Sequence, residues 1–266
     1  PCEFKTPNDF DPTQAKWAVD AAKFPADKES SWSYPPEKDG WMHAHNSIRC
    51  EVDEFTKALA ATAKRLKGSS PAEWEVSSIK LWWKSHYDHV HSHHSNEDDS
   101  FVPFFEERIN FPSKCNADHQ VLTDHFTKIG KLVEELSTES TTAVPNLAKA
   151  WSEYSVDLEH HLKEEETVAI PLMRAFFKQE EVAPKVQEIL GSETAPKEEM
   201  GAFIYWMGEE RFRREFMPQE GIPFFVWWIG GFESKFQFYR DQVQAQVEAL
   251  QAGKPAAQKE DGCAIM

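Results

Sequence analysis

The sequence predicts an all-α fold, a four-helix bundle extended by further helices, and three observations carry that expectation. Four long segments place apolar residues three or four apart, the period of one helix face. The breaks between them are short and rich in Gly, Pro and Ser. No segment shows the alternation of a half-buried strand.

Residues 1–39 hold Pro7, Pro12, Pro25, Pro35 and Pro36, which preclude one long helix. They read as a lead-in wrapped on the body, with a short helix near Thr13–Lys23. The bundle is assigned to residues 40–180. Its first helix runs from about Gly40 to Lys67 on the stripe Ile48, Val52, Phe55, Leu59 and Leu66, and Gly68 ends it. Ser70-Pro71-Ala72-Glu73 reads as the next start, with Ser as the cap and Pro at the first helical position. That second helix reaches about Glu107. After Phe111-Pro112-Ser113 a third runs from about Asn116 to Leu136, on Leu122, Ile129, Leu132 and Leu136. A fourth, from about Asn146 to Lys178, follows the Ser/Thr-rich connection at 137–145.

Residues 181–253 are an aromatic-rich extension, with helices expected over Glu181–Leu190, Glu198–Phe216 and Phe224–Leu250. Phe203, Trp206, Phe212, Phe216, Phe224 and Trp227 are among its aromatics. They suit a pocket roof, a dimer surface or plain packing on the bundle. Residues 254–266 form a polar tail. It ends Cys263-Ala264-Ile265-Met266, a C-a-a-X pattern that predicts prenylation of Cys263. No basic patch precedes that cysteine, so one lipid chain gives only weak, reversible membrane association.

Forty-five acids against 29 bases give a net charge of −16, which repels nucleic-acid phosphates and argues against nucleic-acid binding. Four scattered cysteines (Cys2, Cys50, Cys115, Cys263) and no CxxC pair suit a reducing compartment. No apolar run is long enough to span a bilayer. The expected location is the cytoplasm, with any membrane contact peripheral.

The chemistry lies in the histidines. His93 and Glu97 are four apart and share one helix face; His161 and Glu165 repeat the arrangement. Pro103 and Pro171 each follow the Glu by six, and an offset of 68 relates all three pairs. A His and a carboxylate one turn apart can both ligate a metal beside the helix, and one carboxylate can bridge two ions. Nitrogen and oxygen donors without thiolate suit iron, with manganese or a mixed pair also compatible. His45 lies on the stripe of the first helix and His125 on that of the third. His119, roughly 120° around the third helix from His125, is the second candidate there. Two inward carboxylates and four inward imidazoles are costly to bury without a metal.

These motifs resemble the hemerythrin-like, or HHE cation-binding, family. The matching features are His45 in His45-Asn46-Ser47-Ile48-Arg49, His93 and Glu97 before Phe101-Val102-Pro103, His125, and His161 and Glu165 before Ala169-Ile170-Pro171. The match covers about residues 40–180. The resemblance implies a di-iron bundle with metal ligands His45, His93, Glu97, His125, His161 and Glu165, and dioxygen, another diatomic or a peroxide as partner. Oxygen-carrying members have a second His four residues from the first on the third helix. Beside His125 those positions are Val121 and Ile129, which points to a more open, reactive centre. His89 and Asp157, each four residues before a motif, are candidates to fill the gap or to orient the ligand imidazoles. His91, His94 and His160 should face outward. Three functions follow: an oxidoreductase of the oxygenase or oxidase type acting on a small substrate, a sensor of oxygen, nitric oxide or iron without turnover, and an iron-dependent module tethered through Cys263.

Overall fold

A computed structural model describes residues 10–192 and 195–256. The expectation for Cys263 falls outside these residues. The fold is all-α: several packed helices, a bundle-like core and extra C-terminal helices. Helix α1 spans Gly40–Leu66. Asp39 caps it by accepting the Trp41 N–H at 3.1 Å. It ends where Lys67 and Gly68 turn left-handed at φ 49° and 86°.

Helix α2 starts at Glu73–Asn96, with Ala72 as its cap rather than Ser70. Ala72 has no side chain to cap with. Glu75 does the work from inside the helix, accepting the Ala72 N–H at 2.8 Å while also pairing with Arg65. After Asn96 the helix widens into a π-turn, Glu97–Phe101, and resumes as Val102–Glu106. Helix α3 is Ser113–Glu134. Helix α4 repeats the pattern of α2: Ala143–Glu164, a π-turn over Glu165–Ala169, then Ile170–Phe176.

Both π-turns open on the glutamate of a His/Glu motif and close just before a proline. In each, the N–H of the following residue donates five residues back, Val102 to Glu97 O and Ile170 to Glu165 O. Proline has no N–H and its ring crowds the preceding turn. A widened turn accommodates it without ending the helix. A third π-turn, Phe212–Phe216, stands in the same relation to Pro218.

The extension holds α5 (Gln179–Leu190) and α6 (Lys197–Met207). The single helix expected over Glu198–Phe216 is broken at Gly208, whose φ of 91° few other residues adopt. Helix α7 follows as Glu209–Arg211, the π-turn and Met217–Gln219. The expected helix from Phe224 is also split. Val226–Ile229 forms a short α8, Gly230 and Gly231 interrupt it, and α9 runs from Phe232–Phe238 through a π-turn to Ala245–Ala252.

Helices α6 and α9 pack directly on α1 and α2. Ala202, Tyr239, Val243, Val247 and Leu250 share one core with the α1–α4 residues Phe55, Trp82, Ile129 and Trp151. A second apolar cluster, with Trp41, Phe105, Val168 and Met173 in it, closes the opposite end. The His/Glu motifs fall at the seam between the two.

The helix expected near Thr13–Lys23 is not formed; only a 3-10 turn, Ala15–Trp17, appears there. Asp11 and Asp20 take the nearby backbone N–H groups for their own side chains, at Thr13, Ala22 and Lys23. The segment instead pairs with the body: Val19 N–H donates to Arg108 O and Asn110 N–H to Trp17 O. Among the described residues no helix is long and apolar enough to cross a membrane.

Candidate metal centre

Five imidazoles and two carboxylates converge where α1, α2, α3 and α4 meet. They form two groups, His45, His93, Glu97 and Glu165 on one side and His94, Glu97, His119 and His161 on the other, all buried. Glu97 belongs to both. Its Oε1 lies 3.2 Å from His93 Nε2, and its Oε2 lies 3.4 Å from His119 Nε2. Glu165 also reaches across: Oε2 is 3.2 Å from His45 Nε2 and 3.5 Å from His161 Nε2, and Oε1 is 3.9 Å from His119 Nε2.

The structure therefore brings together five of the six expected ligands. His125 lies elsewhere. It sits on the outer edge of α3 and donates to Asp157 at 2.7 Å, so neither His125 nor Asp157 joins the centre. His119 takes the place on α3. The buried residues of that helix and its end are Cys115, His119, Leu122, Phe126, Ile129, Val133 and Leu136, spaced four and three alternately. Phe126 belongs to that stripe, and His125 is one step off it. The signal was present in the sequence; reading Leu132 instead of Phe126 and Val133 turned the stripe.

His94 was expected to face solvent and instead is the fifth imidazole. Adjacent helical residues differ by about 100°, and a helix with neighbours on two sides buries a face at least that wide. His93 faces α1, with its ring 5.2 Å from His45; His94 faces α3 and α4, with its ring 4.3 Å from His119 and 5.1 Å from His161. The second imidazole missing from α3 is thus supplied by α2.

Two carboxylates that sequence reading passed over orient the ring nitrogens. His45 Nδ1–H donates to Glu166 at 3.2 Å, and Arg49 holds that carboxylate at 2.5 Å. His119 Nδ1–H donates to Asp98 at 2.9 Å. Each bond fixes the tautomer and leaves an Nε2 lone pair aimed inward. Asp98 and Glu166 directly follow Glu97 and Glu165, so they too obey the offset of 68. His89 is not in the centre; its Nδ1–H donates to Glu51 at 3.0 Å. His43 faces away, edge-on to Phe203 and Phe216.

A metal fits these residues. Among the described residues, the Nε2 atoms of His45, His93, His94, His119 and His161 are all buried without a hydrogen-bond partner, as are both Glu97 oxygens and Glu165 Oε2. Leaving one such group unsatisfied costs about 1–3 kcal/mol, and eight at one point are paid back by a cation. The electrostatics divide the rings. Burial holds His93 at about 3 and His94 and His161 well below the usual histidine value, which leaves neutral rings with free lone pairs. Burial opposes charge at the other two as well, but the surrounding carboxylates outweigh it and raise His45 to about 10 and His119 to about 9, so without metal these rings hold the protons that a cation would displace. Burial and the neighbouring Glu97 push the Glu165 carboxyl up, while Glu97 is held down by His93, His119 and His45 against its own burial. Two carboxylates in one dry site repel each other unless positive charge lies between them.

No family model, no curated protein and no solved structure matches this chain. The all-helical fold with two buried His/Glu clusters able to chelate metal is consistent with a hemerythrin-like di-metal site.

Proposed function

We propose that this chain is a non-haem di-iron protein that carries out oxygen or peroxide redox chemistry on a small substrate. The observation that carries the reading is the set of inward, partnerless nitrogen and oxygen atoms that shares Glu97 between two groups. Its donors are oxygen and nitrogen only, the set that suits iron and manganese. His45, His93, Glu97 and Glu165 would hold one ion, and His94, His119, His161 and Glu97 the other. Two iron ions there would supply paired one-electron steps for reducing dioxygen or a peroxide.

The chain's own residues prepare that site. Glu166 and Asp98 keep two imidazoles in the ligating tautomer. Trp41 lies edge-on to His45, and Phe101 and Phe105 stack on Trp41 to hold it there. A cavity reaches His93 and Glu97 from outside the bundle, on the side that offers two imidazoles rather than three. A turnover role is favoured by that access. The fifth imidazole, His94, favours a second reading in which a diatomic gas is bound and sensed without turnover.

Metal analysis and an electronic spectrum of natively purified protein test the proposal. About two irons per chain are expected, and the double variant His161→Ala with Glu165→Ala should lose them. Retention of both ions by that variant overturns the site. After anaerobic reduction and return to air, a stable, reversible oxygenated spectrum indicates sensing. Rapid loss of the reduced state, accelerated by an organic substrate, indicates an oxidase or oxygenase.

A further inference from the structure

The cavity beside the centre has a composition of its own. Its floor is His93, Glu97 and Trp41. Its walls come from the lead-in (Trp32, Tyr34), α5 (Val182, Ile189) and α6 (Met200, Phe203). The aromatic extension therefore helps build a ligand chamber on the bundle. The cavity volume is about 90 Å³. At roughly 10–15 Å³ per water, that is space on the order of seven waters, enough for a slender chain and too little for fused rings.

Three properties of the lining select an occupant. Most of it is apolar, so a hydrocarbon body gains about 25 cal/mol per Å² on entry. No Lys or Arg lines it, whereas Asp39, Glu199 and Glu220 do. Asp39 is already paired with Arg174, Glu199 accepts from Ser92 and Asn96, and Glu220 accepts from Gln219. His89 lines it too, with its Nδ1–H on Glu51. Each of these charged groups is already partnered inside the protein, so an entering anion meets carboxylates on three sides and no free cation. The third property is an unspent donor. Trp41 is buried, and its Nε1–H has no acceptor among the described residues. Its ring lies edge-on to His45, 6.2 Å between centroids. Trp41 lines the cavity, so a ligand oxygen that pressed in to meet that N–H would be held at the edge of the candidate metal centre.

We infer that the cavity binds a slender, uncharged, mainly hydrocarbon molecule bearing one oxygen acceptor, a short-chain ketone, aldehyde or alcohol, with Trp41 Nε1–H holding the oxygen toward the His45 and His93 side. The inference names the substrate class for the reading above and rests on it. Binding is measured apart from metal content, so the two can fail separately.

The test is calorimetric titration of the iron-loaded full chain with hexan-2-one, hexanoate and hexylammonium, repeated after chelation. Hexan-2-one should bind saturably, one per chain, and hexanoate at least about tenfold more weakly, since burying an unpaired charge costs far more than the 1.4 kcal/mol of one decade. Trp41→Phe keeps the ring and removes the donor, and it should weaken the ketone about fivefold, the worth of one neutral hydrogen bond. Ala183→Phe fills the α5 wall and should abolish binding while metal content stays at the parent value. If Trp41→Phe does not fold, Ala183→Phe decides alone. Hexanoate binding as tightly as the ketone, hexylammonium binding more tightly, or a ketone affinity untouched by both variants each overturns the inference. Loss of iron in the parent chain with ketone binding intact would instead sink the metal reading and leave the cavity standing.

Discussion

Helix α2 carries two buried polar clusters about a turn apart, and they are opposites. In the first, Glu51 accepts from His86 at 2.8 Å, His89 at 3.0 Å and Tyr239 at 2.7 Å. The chain of bonds closes outward: Tyr154 donates to His86 Nε2, and Trp206 donates to the Tyr239 hydroxyl. In the second, the candidate metal centre, eight donor atoms point at one another with no partner among the described residues. Both clusters hold buried histidines and a fully buried glutamate. Burial of a histidine therefore says little about metal. What separates a core network from a ligand set is whether its bonds close within the protein.

The largest expected effect comes from opening the closed cluster. Burial pushes the Glu51 carboxyl up, but His89 and His86 outweigh it and hold it at about 2. Burial also opposes charge on His89, and Glu51 overcomes it and raises that imidazole. His86 remains lowered and neutral, consistent with its bond from Tyr154. Glu51 and His89 thus form a buried ion pair. Glu51→Gln leaves His89 without its counter-charge, and a loss of about 3–5 kcal/mol is expected, a fall in melting midpoint of roughly 10 °C. The sign with pH follows. The lowered Glu51 contributes stability above its unfolded value of 4.5 that is lost as pH falls toward 2. The raised His89 contributes below its unfolded value of 6.5 and loses that contribution as pH rises through its folded value. In the parent chain the pair helps most between those two values, and in Glu51→Gln that maximum should flatten. Thermal melts across pH on chelator-treated protein would show it, and an unchanged midpoint would mean the cluster is not closed.

The open cluster should respond the other way. Both ring nitrogens of His161 are buried without partners. In metal-free protein His161→Leu removes two unsatisfied polar atoms and keeps much of the volume, so a gain of about 1–3 kcal/mol is expected. The same variant should forfeit the stabilisation that added metal gives the parent, about 4 kcal/mol at a thousandfold excess over the dissociation constant. Melts with and without added ferrous ion measure both arms. A metal-free variant as destabilised as Glu51→Gln would erase the distinction between the clusters.

The sequence carried the helical period and the doubled motif, and these were legible because each repeats at a fixed spacing. His93, Glu97, His161 and Glu165 follow from the offset of 68 alone, and Asp98 and Glu166 stood in the same register. Two things were hidden. His94 breaks the repeat, since Leu162 occupies the matching position on α4; only the packing of α2 against two sides turns it inward. The split of the last helix at Gly230 and Gly231 was hidden differently. Apolar residues continue through the break, so periodicity masks it. Four residues beside it, Phe224, Phe225, Trp228 and Ile229, remain exposed. His86 and Tyr154 also stand 68 apart and so share the register of the repeat, whereas the pairing of Tyr239 with Glu51 has no linear signal at all.

The smallest effect tests the correction on α3. His125 and Asp157 make one part-buried hydrogen bond at the edge of α3, with the imidazole 14% and the carboxylate 46% exposed. A single part-exposed hydrogen bond of this kind contributes about 0.5–1 kcal/mol. His125→Ala should therefore shift the melting midpoint by no more than roughly 3 °C. Metal content should equal that of the parent, because neither side chain touches the centre. His119→Ala, the same substitution six residues earlier, removes a donor from one group and its bond to Asp98. It should lower metal content. If His125→Ala costs metal and His119→Ala does not, the stripe through Leu122 and Leu132 is the true inner face of α3, and the open cluster has been drawn around the wrong histidine.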